Sequence, residues 1–185
     1  FPEKMQVVEK TGLKDHDPDT EVPYLALTPE DAMREVKFIT AVVPVQQNAA
    51  QHPPRLESLS AKNALGVRIY GDETTTDVWL NLMADGRRMH RNSNNIIDGW
   101  DTDAYLIALT RPAEAADADP DSITRCFVAC GSYLRKNSKV MLDSLSKVYT
   151  VFTPGESEMR VALQGQPFIR AALRTAVEPR RTRLN

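Results

Sequence analysis

The chain has 185 residues, of which 42% are hydrophobic and 26% charged, enough apolar mass for a real core and too much for wholesale disorder. Its 23 basic and 25 acidic side chains leave a net charge of −2, with no concentrated basic face to make nucleic acid a partner. No apolar run is long enough to span a bilayer as a helix, so a soluble chain without a membrane partner is expected.

The chain opens on Phe1, without an initiator Met or a basic-then-apolar leader, which reads as a fragment boundary or a processing site. In "LTPEDAMREV", Thr28 suits a helix N-cap and Pro29 a first helical position, so one short helical turn is predicted there. Beyond it the hydrophobic rhythm is mostly two. "DVWLNLMA" sets Val78, Leu80 and Leu82 against Trp79, Asn81 and Met83, and "EMRVALQ" sets Met159, Val161 and Leu163 against Arg160, Ala162 and Gln164. The runs "KFITAVVPV", "LGVRIY", "ITRCFVAC", "KVML" and "KVYTVF" are short, β-branched and aromatic, and favour strands.

Turn signals separate these runs. Asp85-Gly86 and Asp98-Gly99 can supply the positive φ of a tight hairpin, Pro154-Gly155 marks a reversal, and "LRKNSKV" reads as an exposed polar turn. "DAYLIAL" is apolar on both faces and predicts a strand buried on both sides. "RPAEAADADPDS" reads as a solvated loop between strands. In the tail, Ile169, Leu173 and Val177 fit a helical face and also one face of a strand. The reading taken is a strand through Val177 and then a disordered basic end. The expected fold class is therefore all-β, an antiparallel β-sandwich with at most one or two short helices. Residues 1–165 form a single domain, and 166–185 an added strand and basic tail.

The residues with chemistry to offer are few. His16, His52 and His90 lie far apart, and no zinc-protease, paired Cys-x-x-Cys or nucleophile-elbow pattern occurs, so no metal, cofactor or catalytic residue is assigned. Asp117, Asp119 and Asp121 imitate the start of a calcium loop, but Ser122 replaces its glycine and Val128 its bidentate glutamate. Cys126 and Cys130, on a strand, sit about 13 Å apart at about 3.3 Å per residue, too far to pair, and read as two buried free thiols.

Three groups invite a functional reading beside a structural one. "DGWDTDAYLIAL" gathers Asp98, Asp101 and Asp103 around Trp100: a carboxylate pair for acid–base work, or a turn and capping groups entering a buried strand. Trp79, Trp100 and Tyr70 are aromatic platforms for sugar faces or core residues. "GRRMHRN" crowds Arg87, Arg88, His90 and Arg91 after a turn, a patch for an anionic polymer or an exposed hairpin arm. The candidate carbohydrate contacts are Arg87, Arg88, His90, Arg91, Trp100 and Tyr70.

The phrases "FITAVVPV", "ADGRR", "IIDGWDTDAYLIAL" and "CGSYLRKNSKVMLDSLSKVYTVFTPGE" resemble, in that order, the C-terminal β-sandwich of heparinase II/III-like polysaccharide lyases, over roughly residues 20 to 165. In that family an α/α-toroid precedes the β region. The resemblance implies a parent enzyme that cleaves uronic-acid polysaccharides by β-elimination, secreted or periplasmic, with an upstream catalytic domain as this chain's neighbour and an anionic polysaccharide as its ligand. Elimination needs the uronate carboxylate neutralised, the C5 proton removed and the leaving oxygen protonated. In the family these roles fall to Asn, His, Tyr and Arg or Glu on the toroid and early β region, and no segment here matches those motifs. The expectation is a non-catalytic accessory domain that packs on the catalytic region or lines its cleft. The alternative is a free-standing carbohydrate-binding module, and a third reading is a sandwich that mediates assembly.

Overall fold

The structure is a computed structural model that describes residues 5–15, 17–32, 39–40, 53–84, 94–116, 118–154, 156, 158–162 and 167–172. The chain divides into two compact units, 1–40 and 41–185. Both units are built from antiparallel strands, and no helix occurs among the described residues.

The first unit is a two-stranded ribbon of β1 (Met5–Lys14) and β2 (Asp17–Pro29), in register from Met5 opposite Pro29 to Leu13 opposite Glu21. Thr28 and Pro29 therefore end a strand and do not start a helix. The reason is local. A residue before proline is pushed towards extended backbone, and Pro29 sits at a strand end, where a missing N–H is tolerated. Of the rest of that predicted turn, residues 33–38 lie outside the described residues.

The second unit contains β3 (Arg55–Ala61), β4 (Ala64–Tyr70), β5 (Thr74–Asn81), β6 (Asn95–Ile97), β7 (Trp100–Thr102), β8 (Leu106–Pro112), β9 (Arg125–Lys136), β10 (Lys139–Phe152), β11 (Glu158–Ala162) and β12 (Ile169–Ala172). The main path across the sheet runs β12-β11-β10-β9-β8-β5-β4-β3. The first half of β9 pairs with β8, whereas Leu134 and Arg135 in its second half pair with β7 of the β6–β7 hairpin. Trp79, Ile107, Leu109, Cys126, Val128 and Phe152 from the first part meet Ile97, Trp100, Leu134 and Leu142 from the second in one buried cluster. This shared core makes the all-β unit sandwich-like.

The division of β9 rests on irregular backbone. The four residues from Val128 to Gly131 face only the three from Val148 to Thr150, and Cys130 takes φ of 52°. That is the signature of a bulge, which bends a strand and raises its twist. A second irregularity lies between Val140 and Leu142, and it turns the consecutive residues Met141 and Leu142 both inward. The bulge also breaks the strand alternation that in a regular strand puts residues four apart, such as Cys126 and Cys130, on one face. Cys126 belongs to the core cluster, while buried Cys130 raises the pKa of the Tyr149 hydroxyl, and neither cysteine forms a disulfide.

Reversals follow the turn chemistry. Asp98 and Gly99 take φ of 50° and 79° between β6 and β7, and Asn137 and Ser138 take 51° and 64° between β9 and β10. Strand β8 buries Ile107 and Leu109, while Leu106 and Ala108 on its other face remain partly open, so only one face is fully enclosed. The loop after β8 is less solvated than its composition suggests. Ala118, Pro120 and Ile123 are buried in it. Alanine, proline and isoleucine spaced among the acids give the loop an apolar underside that folds back on the core.

Candidate functional site

The acid-rich stretch is committed to folding. Trp100 has 0% of its surface exposed and packs in the core, with the Lys136 amine 5.4 Å from its ring. That amine donates hydrogen bonds to the carbonyls of Asp98 at 3.1 Å and Ala118 at 3.0 Å, tying the tight turn to the long loop. Asp101 accepts from the Tyr133 hydroxyl at 3.0 Å and from Arg135 Nε at 2.7 Å. Burial, and then Asp101, push the Tyr133 hydroxyl's pKa up, and the hydrogen bond to Asp101 raises that of Arg135. Asp103 is buried and accepts from the Ser132 amide, the Ser132 hydroxyl and the Tyr133 amide. These carboxylates hold β7 and the entry to β8 against β9. The stretch is a turn with structural acids.

A second ionic group crosses the core-side face of the sheet. The register aligns Glu57, Arg68, Asp77 and Leu109 across β3, β4, β5 and β8, and Arg55, Tyr70, Thr75 and Arg111 one step along. Asp77 is fully buried. It receives Arg68 through Nε at 2.6 Å and Nη2 at 3.0 Å, and Arg111 through Nη1 at 2.8 Å. The hydrogen bond to Asp77 holds the Arg68 guanidinium's pKa above its ordinary value. Arg111 also donates from Nε to the Ala115 carbonyl at 3.1 Å. Towards the sheet edge, Tyr70 donates its hydroxyl to Glu57, and Arg55 lies over its ring at 3.7 Å. One face of Tyr70 is therefore occupied by a guanidinium.

The third group lines an open cavity of about 450 Å³ beside the β10–β11 reversal. Its walls include Arg125, Arg160 and Arg170, the acids Glu156 and Glu158, and the apolar Val151, Phe152 and Met159. Register explains the convergence. Phe127, Val151, Arg160 and Arg170 stand in one cross-strand row, and Arg125 shares the face of Phe127 by strand alternation. Arg160 and Arg170 are direct partners, an arrangement that like charges oppose. Arg160 also lies over the Phe168 ring at 5.3 Å, and Arg170 Nη1 is 3.8 Å from Glu158 Oε2 in an exposed, weak pair.

Of the candidate contacts, Trp100 is enclosed and presents no face to a sugar, and Tyr70 is half-buried beneath Arg55. Arg87, Arg88, His90 and Arg91 lie outside the described residues, as do Asp85-Gly86, His16 and His52. Arg125, Arg160 and Arg170 were not singled out in the sequence. The alternation in "EMRVALQ" places Arg160 on one face, but only the pairing of β11 with β12 brings Arg170 beside it. No known family matches the chain, and no curated protein matches it.

Proposed function

We propose that this chain is an accessory β-sandwich-like domain of a heparinase II/III-like polysaccharide lyase acting on uronic-acid glycans by β-elimination. It contributes packing or one wall of the substrate cleft, and the reacting groups come from the upstream catalytic domain. One observation carries the reading. The stretch with the residue types for acid–base chemistry, 98–109, spends Asp101 and Asp103 on Tyr133, Arg135 and Ser132. A carboxylate so engaged is a scaffold group, not a free base in a cleft. Two of the four phrases that resemble the lyase sandwich, residues 96–109 and 130–156, carry strands β6 to β8 and most of β9 and β10, as an antiparallel domain of that kind requires, and the other two lie mostly outside the described residues.

The second reading, a free-standing module for anionic polysaccharide, is favoured by the three arginines around one cavity. Unsaturated uronates absorb in the ultraviolet, so incubation with heparin, heparan sulfate and alginate tests the first reading directly. No growth of absorbance is expected from this chain. Sustained growth that disappears on Tyr105→Phe would overturn the accessory role. A helical toroid encoded upstream in the same polypeptide would separate the accessory domain from the free-standing module.

A further inference from the structure

The cavity beside the β10–β11 reversal carries positive charge that its own residues do not neutralise. Three arginines face two glutamates, and among the described residues the one ionic contact there is the exposed Arg170–Glu158 pair. Among the described residues, Arg125 meets no carboxylate. Two guanidinium groups directly opposite on neighbouring strands repel each other, and an anion placed between them would turn that cost into two charge-assisted contacts. Arg160 lies over the Phe168 ring at 5.3 Å, a contact that uses none of its N–H donors as hydrogen bonds. These arginines sit on strands, whose backbone fixes their spacing better than a loop would.

We propose that this cavity is an oxyanion site for the carboxylate or sulfate group of an acidic glycan, with Arg160 and Arg170 as the paired donors and Arg125 at the rim. Val151, on the same sheet face as the paired arginines, supplies an apolar contact for the C–H face of the sugar ring. Glu156 and Glu158 leave a net of one positive charge, which one acid group would neutralise. The identity of the polymer rests on the proposed glycan function. The acid group rests on the arginine geometry.

The test follows the arginine Nε–H signals of the whole chain by NMR during titration with inorganic sulfate, glucuronate, and oligosaccharides of heparin and of alginate. The signals of Arg160 and Arg170 are expected to shift with glucuronate or sulfate. Arg160→Ala with Arg170→Ala should weaken oligosaccharide binding on the order of tenfold at low salt, while the exposed Lys139→Ala on the β9–β10 turn leaves it unchanged. The lysine pair Arg160→Lys with Arg170→Lys keeps the charge and loses the fork, so it should bind weakly too. Wild-type affinity in that lysine pair, or no shift with any probe, overturns the site. If Arg87→Ala with Arg88→Ala abolishes glycan binding and the cavity variants keep it, the site falls and the glycan function stands. If the small anions shift the cavity arginines and no oligosaccharide binds, the site stands and the glycan function falls.

Discussion

Asp77 Oδ2 accepts a hydrogen bond from Arg111 Nη1 at 2.8 Å, with both residues almost wholly buried, while Arg68 grips the same carboxylate from the strand on the other side. Taking such charges out of water is expensive, and the group holds only while each charge keeps its partner. Asp77→Ala leaves two guanidiniums facing each other, one of them buried, and should cost about 3–5 kcal/mol in denaturant melts. Arg111→Ala should cost more than Arg68→Ala, because the Arg68 side chain keeps 21% of its surface in solvent and the Arg111 side chain 2%. The reverse order would mean that solvent reaches Arg111.

Asp103 works by hydrogen bonding where Asp77 works by ion pairing. Its removal strands the amides of Ser132 and Tyr133 beside the β9 bulge. Asp103→Ala should cost about 3 kcal/mol, and Ser132→Ala, which loses a single hydroxyl contact, about 1–2 kcal/mol. Equal costs would show that the serine hydroxyl alone holds the carboxylate.

The sequence carries those features of this fold that are local. Asp98-Gly99 and the polar "KNSK" announce their turns because few residues accept positive φ, and the period of two survives in β5, β8 and β11. Features that depend on partners are not legible in this way. Thr28-Pro29 suits a helix start until β1 offers a strand to pair with. Consecutive inward residues such as Met141 and Leu142 violate a strand period and become sensible only at a bulge. The cavity arginines are scattered over 46 positions of sequence, from Arg125 to Arg170, and meet only through the register of β9 to β12.

The Cys126 thiol titrates late. Burial pushes its pKa from 9.0 up to about 12. The protonated form is the one the core accepts, so this stability is fully present below about pH 9. It is then lost as pH climbs towards 12, at about 1.4 kcal/mol per pH unit. Tyr133 and Tyr149, whose pKa values are also raised, act in the same direction. Denaturant midpoints should therefore fall less steeply above pH 9 in Cys126→Ala than in the wild type. Parallel slopes would show that Cys126 ionises as it does in the unfolded chain. Native Cys126 should also resist thiol reagents at neutral pH until the chain unfolds.

Gly131 sits where β9 changes partners, and it has no side chain for a steric reason. A Cβ there would lie 2.5 Å from the Ala104 Cβ, 2.8 Å from the Ala104 Cα and 2.8 Å from Val128 Cγ1. The contacts are too close for any rotamer to relieve, so the backbone at Ala104 would have to move. That backbone is pinned on both sides: its carbonyl accepts from Asn81 Nδ2 at 3.0 Å and its amide donates to Thr102 Oγ1 at 3.1 Å. Gly131→Ala should therefore cost about 3 kcal/mol, the upper end for overpacking a core. Gly71→Ala is the contrast, because it is exposed and its nearest contact, the Thr74 carbonyl oxygen, stands at 3.2 Å. The two variants measured side by side in denaturant melts separate the effects of space and of chain entropy. A cost for Gly131→Ala below about half a kcal/mol would mean that the chain at Ala104 yields easily, and that the close crossing of β9 over the entry to β8 does not hold the two parts of the sheet together.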